Sequence, residues 1–388
     1  MMRATQRGMT LIELLVAMAI GLAVTLVVST LLVAGENHKR TTTSTNDADQ
    51  TGAYAFHALD RAVRGAGSAI AESAYPVDAG VLGCKLNAAG ILPRTAPFPT
   101  PFDTFLSGAT ANLRVAPVLI GQNMSDSSTS DVLLVMGGSG AAGGVSRPEY
   151  GPGSATTLTL ESTVGFSQYD MALVSQPGVT DCLLEEVASV SAPTLDVGGT
   201  TYYTLNGTTT NLTTLAASTT SFVTPLGNAA ANNLQFEMFG VGTNYTLYSY
   251  DLFQNATLVQ GMGTDTAQAI TDGVVQMNAI YGIESTTVPG TIGNWAGPGD
   301  PGYDINTVMT TPATMKTIIA VRVALVVRGE YYDKNSVSPA TLTIFSGYTN
   351  TVTGTSLAKI VTVPGQNYRY RVFEFTVPLR NMILLAGA

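Results

Sequence analysis

Between Leu14 and Ala34 the chain carries no charged residue. A helix over this stretch is about 32 Å long at ~1.5 Å per residue, enough to cross the ~30 Å hydrocarbon core of a bilayer. One carboxylate, Glu13, stands at its start. A charge beside such a run costs on the order of 3 kcal/mol near a helix centre and less at an end, so a compensating partner is expected.

Three readings compete for residues 1–34. A cleavable secretory signal has an apolar core of roughly 7–15 residues followed by small residues at the cut. Here the run is too long, and Leu32 stands where a small residue should precede Ala34. A plain anchor fits the length and the basic Arg3 and Arg7, with Glu13 snorkelling to the interface. It gives Glu13 no partner, and Lys39 and Arg40 on the far side weaken any charge asymmetry that would orient it.

The third reading accounts for Glu13. A short basic leader ending in Gly8, then Met9-Thr10-Leu11-Ile12-Glu13 and the apolar run, resembles the prepilin signature of type IV pilins and type II secretion pseudopilins. The resemblance implies a membrane peptidase that cuts after Gly8 and methylates the new N-terminus at Met9, leaving Glu13 as the fifth mature residue. Met9 departs from the commoner phenylalanine. Cleavage would create a cationic amine one turn from Glu13, and a carboxylate in the first turn also suits the helix dipole. In the family this glutamate meets the amine of a neighbouring subunit as the helix leaves lipid for a filament core. A helix apolar on all sides suits both surroundings.

The rest must be globular, because 388 residues at 45% hydrophobic composition can bury a sizeable core, in one lobe or two. Only 12% of residues are charged and the formal net charge is −9, so the basic footprint of a nucleic-acid binder is absent. Cys84 and Cys182 match no zinc spacing. Outside the cytoplasm such a pair is naturally a disulfide, and in the cytosol two buried thiols.

After the polar stretch beyond Ala34, Phe56, Leu59, Val63, Ala66 and Ile70 recur at helical spacing, with a break expected in the Thr-rich 41–52 and fraying at Gly65 and Gly67. Past residue 75, short apolar runs divided by Gly, Pro, Asn and Ser predict an all-β region. The clearest strands hold Val275, Met277, Ala279, Tyr281 and Ile283, with Gln276, Asn278 and Glu284 on the other face, and Val321, Val323, Leu325 and Val327, with Arg322 and Arg328 turned away. The Gly/Pro-rich stretches 136–153 and 289–302 read as loops.

Several segments narrow the resemblance to the PilW type of minor pilin: "HALDRAVRGAG", "GC" at Cys84, "TDC" at Cys182, "GVVQMNAIYGIE", "VRVALVVRGE" and "YRVFEFTVPLRN", in that family's order. The likeness implies a periplasmic head and a Cys84–Cys182 disulfide.

Other chemistries fare poorly. Gly138, Gly140 and Gly143 follow an apolar run as G-x-G-x-x-G, and Glu161 lies where a ribose-binding acid belongs, but Pro148, Pro152 and their neighbouring glycines leave no room for the phosphate-binding helix. No Gly-Lys-Ser/Thr exists, and His38 and His57 both lie near the N-terminal helix. Asp300, Asp304 and Asn306 lack the EF-hand pattern, Glu185 and Glu186 show no acid/base pairing, and sequons such as Asn206-Gly207-Thr208 reflect Thr-rich composition.

The expectation is therefore an α+β chain: leader 1–8, transmembrane and filament-core helix 9–34, amphipathic continuation 35–70, and a large, mainly antiparallel β-rich head at 71–388. It is not expected to be an enzyme, and no cofactor or metal is expected. The resemblance implies a minor pilin in pilus assembly, priming polymerisation within a tip complex. Its partners would be the prepilin peptidase, other minor pilins, the major pilin, the inner-membrane assembly platform and a tip adhesin, and its place the inner membrane and then the pilus surface. A J-like type II secretion pseudopilin is the alternative within the class, and a membrane-anchored periplasmic enzyme or ligand-binding protein the alternative outside it.

Overall fold

The computed structural model describes residues 9–71, 80–88, 92, 97–105, 113–127, 129–138, 145–199, 201, 212–231, 233–253 and 266–386. A single helix, Leu11–Gly65, runs for 55 residues, about 82 Å at ~1.5 Å per residue. Its first half is exposed and packs on no other described residue, whereas Ser44, Ala48, Gly52, Ala55, Leu59, Ala62 and Val63 are buried at steps of mostly three and four. Those steps make one stripe along the helix, which faces the head.

The expected break at 41–52 is absent. Thr41 and Thr42 turn their hydroxyls back to the carbonyls of Asn37 and His38 at 2.9 and 3.0 Å. The head also holds this stretch: Arg369 donates to Thr41 Oγ1 at 3.0 Å, the Glu330 N–H to Asp47 Oδ2 at 3.0 Å, and Arg371 pairs with Asp49 at 3.3 Å. Tertiary contacts override the weak propensity of threonine. Small residues allow close approach, since a Cβ at Gly52 would overlap the Phe373 ring. Phe56 lies at the rim of the stripe, 37% exposed and edge-on to Phe375 at 4.5 Å. Ala66 and Ile70 are buried but lie beyond the helix, which stops at Gly65 before Gly67 takes φ +78°.

The platform under the helix is a four-stranded antiparallel sheet, ordered Ile292–Ala296, Val274–Glu284, Ile318–Arg328, Tyr370–Pro378. In Val274–Glu284 a register shift at Val274/Gln276 sends Val274 to the helix side with Met277, Ala279 and Tyr281, and moves Val275 to the opposite core with Ile280. The alternation read from sequence is thus displaced by one residue at its first member, as a bulge does. Gln276 and Asn278 do face the other side, yet they are buried, donating to the Thr129 carbonyl at 3.1 and 3.2 Å. Arg322 and Arg328 turn away from the helix, Arg322 onto Glu374 at 2.8 Å and Arg328 over the Tyr368 ring at 4.4 Å.

A five-stranded and an eight-stranded sheet complete the large elements, antiparallel except where Lys85–Ala88 pairs in parallel with Asp181–Glu186. The eight-stranded sheet gives Met171, Leu173, Cys182 and Leu184 to the core on which the helix packs, and closes a second core with Leu158, Leu195, Leu215 and Val223. The two stretches read as loops are not wholly so: Arg147–Gly151 and Ile292–Ala296 are strands, carried by pairing that outweighs their Gly and Pro content.

In Arg147–Gly151, Glu149 is 3% exposed, and a backbone contact from Gly153 only partly offsets the burial of its carboxylate. Burial pushes its pKa from 4.5 up to about 7. A carboxyl raised on folding contributes stability in its neutral form, which is lost as pH rises from about 4.5 through about 7. Glu149→Gln is expected to match the wild type at pH about 4.5 and to exceed it above pH about 7, by at most ~3 kcal/mol. Urea midpoints on both sides of that window check this; equal midpoints at the higher pH would refute it.

Candidate assembly helix and its platform

Helix formation begins with a reciprocal pair. Thr10 caps Leu11–Gly65: the Glu13 N–H donates to Thr10 Oγ1 at 3.4 Å, while Glu13 Oε2 accepts from the Thr10 N–H at 3.0 Å and its hydroxyl at 2.9 Å. This is a capping box, which satisfies two of the donors a helix N-terminus leaves open. Thr10 thus stands beside the site expected at Gly8, Met9 and Glu13, and its signal is the Thr-x-x-Glu spacing. Gly8 lies outside the described residues, and Met9 is 73% exposed.

Beyond the box the helix is apolar and exposed all round, with none of its most apolar window buried, and is long and apolar enough to cross a membrane. Its hydroxyls are satisfied internally: Thr25 donates to Leu22 O at 2.9 Å, Ser29 to Thr25 O at 2.8 Å and Thr30 to Val27 O at 2.8 Å. A surface with no open polar group is compatible with lipid or with other apolar helices. Rigid continuity with the docked half means that whatever receives residues 11–40 also positions the head.

Cys84 and Cys182 form a disulfide, with Cα atoms 5.7 Å apart and both side chains buried. The bond ties the turn before the strand Lys85–Ala88 to the strand beside it.

Residues weighed for other chemistry have structural places. Asp304 caps the short helix Ile305–Thr310, accepting from Thr307 N at 3.1 Å, and Asp300 accepts from Gly297 N and Asn350 Nδ2 at 2.9 and 2.7 Å. No group of three or more metal-ligating side chains occurs among the described residues. Glu185 and Glu186 are buried in one strand, Glu186 accepting from the Thr201 N–H at 3.2 Å. His38 and His57 lie exposed on the long helix. Gly140, Gly143 and Asn206 lie outside the described residues.

Two protein-family models match this chain. The prokaryotic N-terminal methylation motif matches residues 3–34, covering the capping box and the apolar run. Type IV pilus-assembly protein W matches residues 239–381, from the five-stranded sheet to the start of the helix Arg380–Ala386, and so includes the whole four-stranded platform. Cys84 and Cys182 lie outside both. No curated protein and no solved structure matches the chain. Both family matches point to a structural role. One at the head of the helix and one on the platform that holds it, they support a single assignment, a PilW-type pilin.

Proposed function

We propose that this chain is a minor pilin that primes type IV pilus assembly as part of a tip complex. The observation that carries the reading is the long helix itself: an exposed apolar half runs without a break into a half locked on the head. In this reading residues 1–8 are a leader removed after Gly8, Met9 becomes the methylated N-terminus, and Glu13 meets an amine during assembly. Residues 9–34 span the inner membrane and later enter the filament core. Residues 35–70 join that helix to the head, 71–388, which lies in the periplasm before reaching the pilus surface. The partners are the prepilin peptidase, the assembly platform, the other minor pilins, the major pilin and a tip adhesin.

A head of this bulk is ill suited to be the repeating unit of a thin filament, which supports small copy number at initiation. Deletion of the chain is expected to reduce surface pili much more than the stock of major pilin. Quantitative mass spectrometry of sheared filaments tests the reading, and abundance equal to that of the major pilin would overturn it.

A further inference from the structure

The end of the head nearest the apolar half of the helix carries exposed aromatic side chains that no assembly role above employs. The strand Ile318–Arg328 ends beside Ser44, where a Cβ at Gly329 would overlap the Ser44 side chain, and the chain then runs along the first docked turns of the helix. There Tyr331 and Tyr332 are 46% and 59% exposed. The neighbouring backbone is fixed: the Glu330 N–H donates to Asp47, the Asp333 N–H to the Asn367 carbonyl at 2.7 Å, and the Asp333 carboxylate pairs with Arg369 at 2.8 Å. Arg369 in turn donates to Thr41. The Tyr332 ring is backed edge-on by Tyr368 at 5.5 Å, and Arg328 stacks over Tyr368. These tyrosines are held in place while their outer faces stay bare.

Their height above the apolar run follows from the helix. Ala34 ends the uncharged stretch, Thr41 makes the Arg369 contact and Asp47 the Glu330 contact, so about 10–20 Å of helix lies between that end and the contacts flanking the tyrosines, at ~1.5 Å per residue. A leaflet's headgroup layer is about 5–8 Å deep beyond the hydrocarbon. With the tilt of about 20° usual for spans, one side of a rigidly attached head drops by several ångströms. Tyrosine is the residue type that settles at this depth, its ring against the acyl boundary and its hydroxyl in the headgroups. Charges of both signs follow the apolar run and flank the tyrosines in sequence, among them Glu36, Lys39, Arg40, Asp47, Glu330 and Lys334, so no preference for anionic lipid is built in.

We infer that Tyr331 and Tyr332 form an interfacial foot, which rests the head on the lipid headgroups of the membrane before assembly and sets its tilt. The inference rests on the reading of residues 9–34 as a membrane span. Once the helix leaves the bilayer the foot is released, and the same tyrosines are free to meet neighbouring subunits.

The test uses the full chain reconstituted into phosphatidylcholine vesicles, with tryptophan reporters at Tyr331→Trp, Tyr332→Trp and Leu22→Trp; Trp295 of the wild type gives the baseline. Nitroxide lipids labelled on the headgroup or deep in the acyl chain serve as quenchers. The foot requires that headgroup nitroxide quench the Tyr331→Trp and Tyr332→Trp reporters above baseline and that the deep label leave them alone, while the deep label quenches the Leu22→Trp reporter. If the Leu22→Trp reporter responds and both head reporters stay at baseline, the span stands and the foot is refuted. If the Leu22→Trp reporter does not respond to the deep label, the span reading fails and the foot with it.

Discussion

Glu13→Val is expected to enter the membrane at least as well as the wild type and to be missing from sheared pili. Removing the carboxylate makes the segment more lipid-like, favouring insertion by up to ~3 kcal/mol. Assembly is affected in the opposite direction. In the proposed filament, Glu13 is one partner of a desolvated ion pair, and deleting one partner of such a pair costs about 3–5 kcal/mol, roughly a hundredfold or more in incorporation. The capping box adds a second candidate role, because Glu13 also satisfies Thr10 at the helix start. Glu13→Gln separates the two: glutamine retains the box chemistry but carries no charge. If Glu13→Gln assembles like the wild type, the carboxylate acts as a cap and the ion-pair role is wrong. If both variants insert and neither is recovered, charge is what assembly requires. Mass spectrometry of the wild-type N-terminus accompanies this comparison, since an intact Met1 in assembled pili would remove the amine from the argument.

The apolar run was legible because hydrocarbon permits few alternatives: an unbroken uncharged stretch of that length must be helical where it meets lipid. The strands Val274–Glu284 and Ile318–Arg328 were legible for a different reason, their period-2 alternation holding from Met277 to Tyr281 and from Val321 to Val327. What failed was decided by distant partners. Threonines at 41–45 weaken an isolated helix, but Arg369, Glu330 and Arg371 lie more than 280 positions away in sequence and hold that stretch in place. The one-residue displacement at Val275 depends on pairing with Val326 and Val327, which no local pattern encodes. Arg147–Gly151 reads as a turn because of its Pro and Gly, yet it pairs with Phe222–Asn228 and Thr157–Leu160. At the proposed assembly site, Glu13 stood out by its cost in an apolar run, whereas Thr10 required recognising the cap spacing.

The largest loss of stability is expected from Cys84→Ala/Cys182→Ala. The bond closes a loop of 98 positions, for which chain entropy gives a stabilisation of up to ~4.7 kcal/mol. Its location makes that stabilisation matter. Lys85–Ala88 is a four-residue strand held on one side by a parallel pairing, a slightly weaker arrangement per residue than an antiparallel one, and on the other by bridges from Lys85 to Arg114 and from Ala88 to Leu92. The segment before it is tied to the stretch around Arg114, with Gly83 N–H donating to the Val115 carbonyl at 2.8 Å, Val115 N–H to the Cys84 carbonyl at 2.9 Å and Arg114 to the Gly83 carbonyl at 2.7 Å. Released from Cys182, the strand is held by these short pairings alone, and where they open Leu86 and Ala88, both buried, would reach water. A shortened chain for this measurement should begin at Arg40, because the head's contacts with the helix start at Thr41. Alanine is the informative replacement, since serine would add two buried hydroxyls to the deficit. The urea midpoint of the double variant should fall substantially, and reduction should lower the wild type's midpoint while leaving the variant's unchanged. Two alkylatable thiols in the unfolded, unreduced wild type would show the bond absent. Equal midpoints for variant and wild type would show that the strand holds without it.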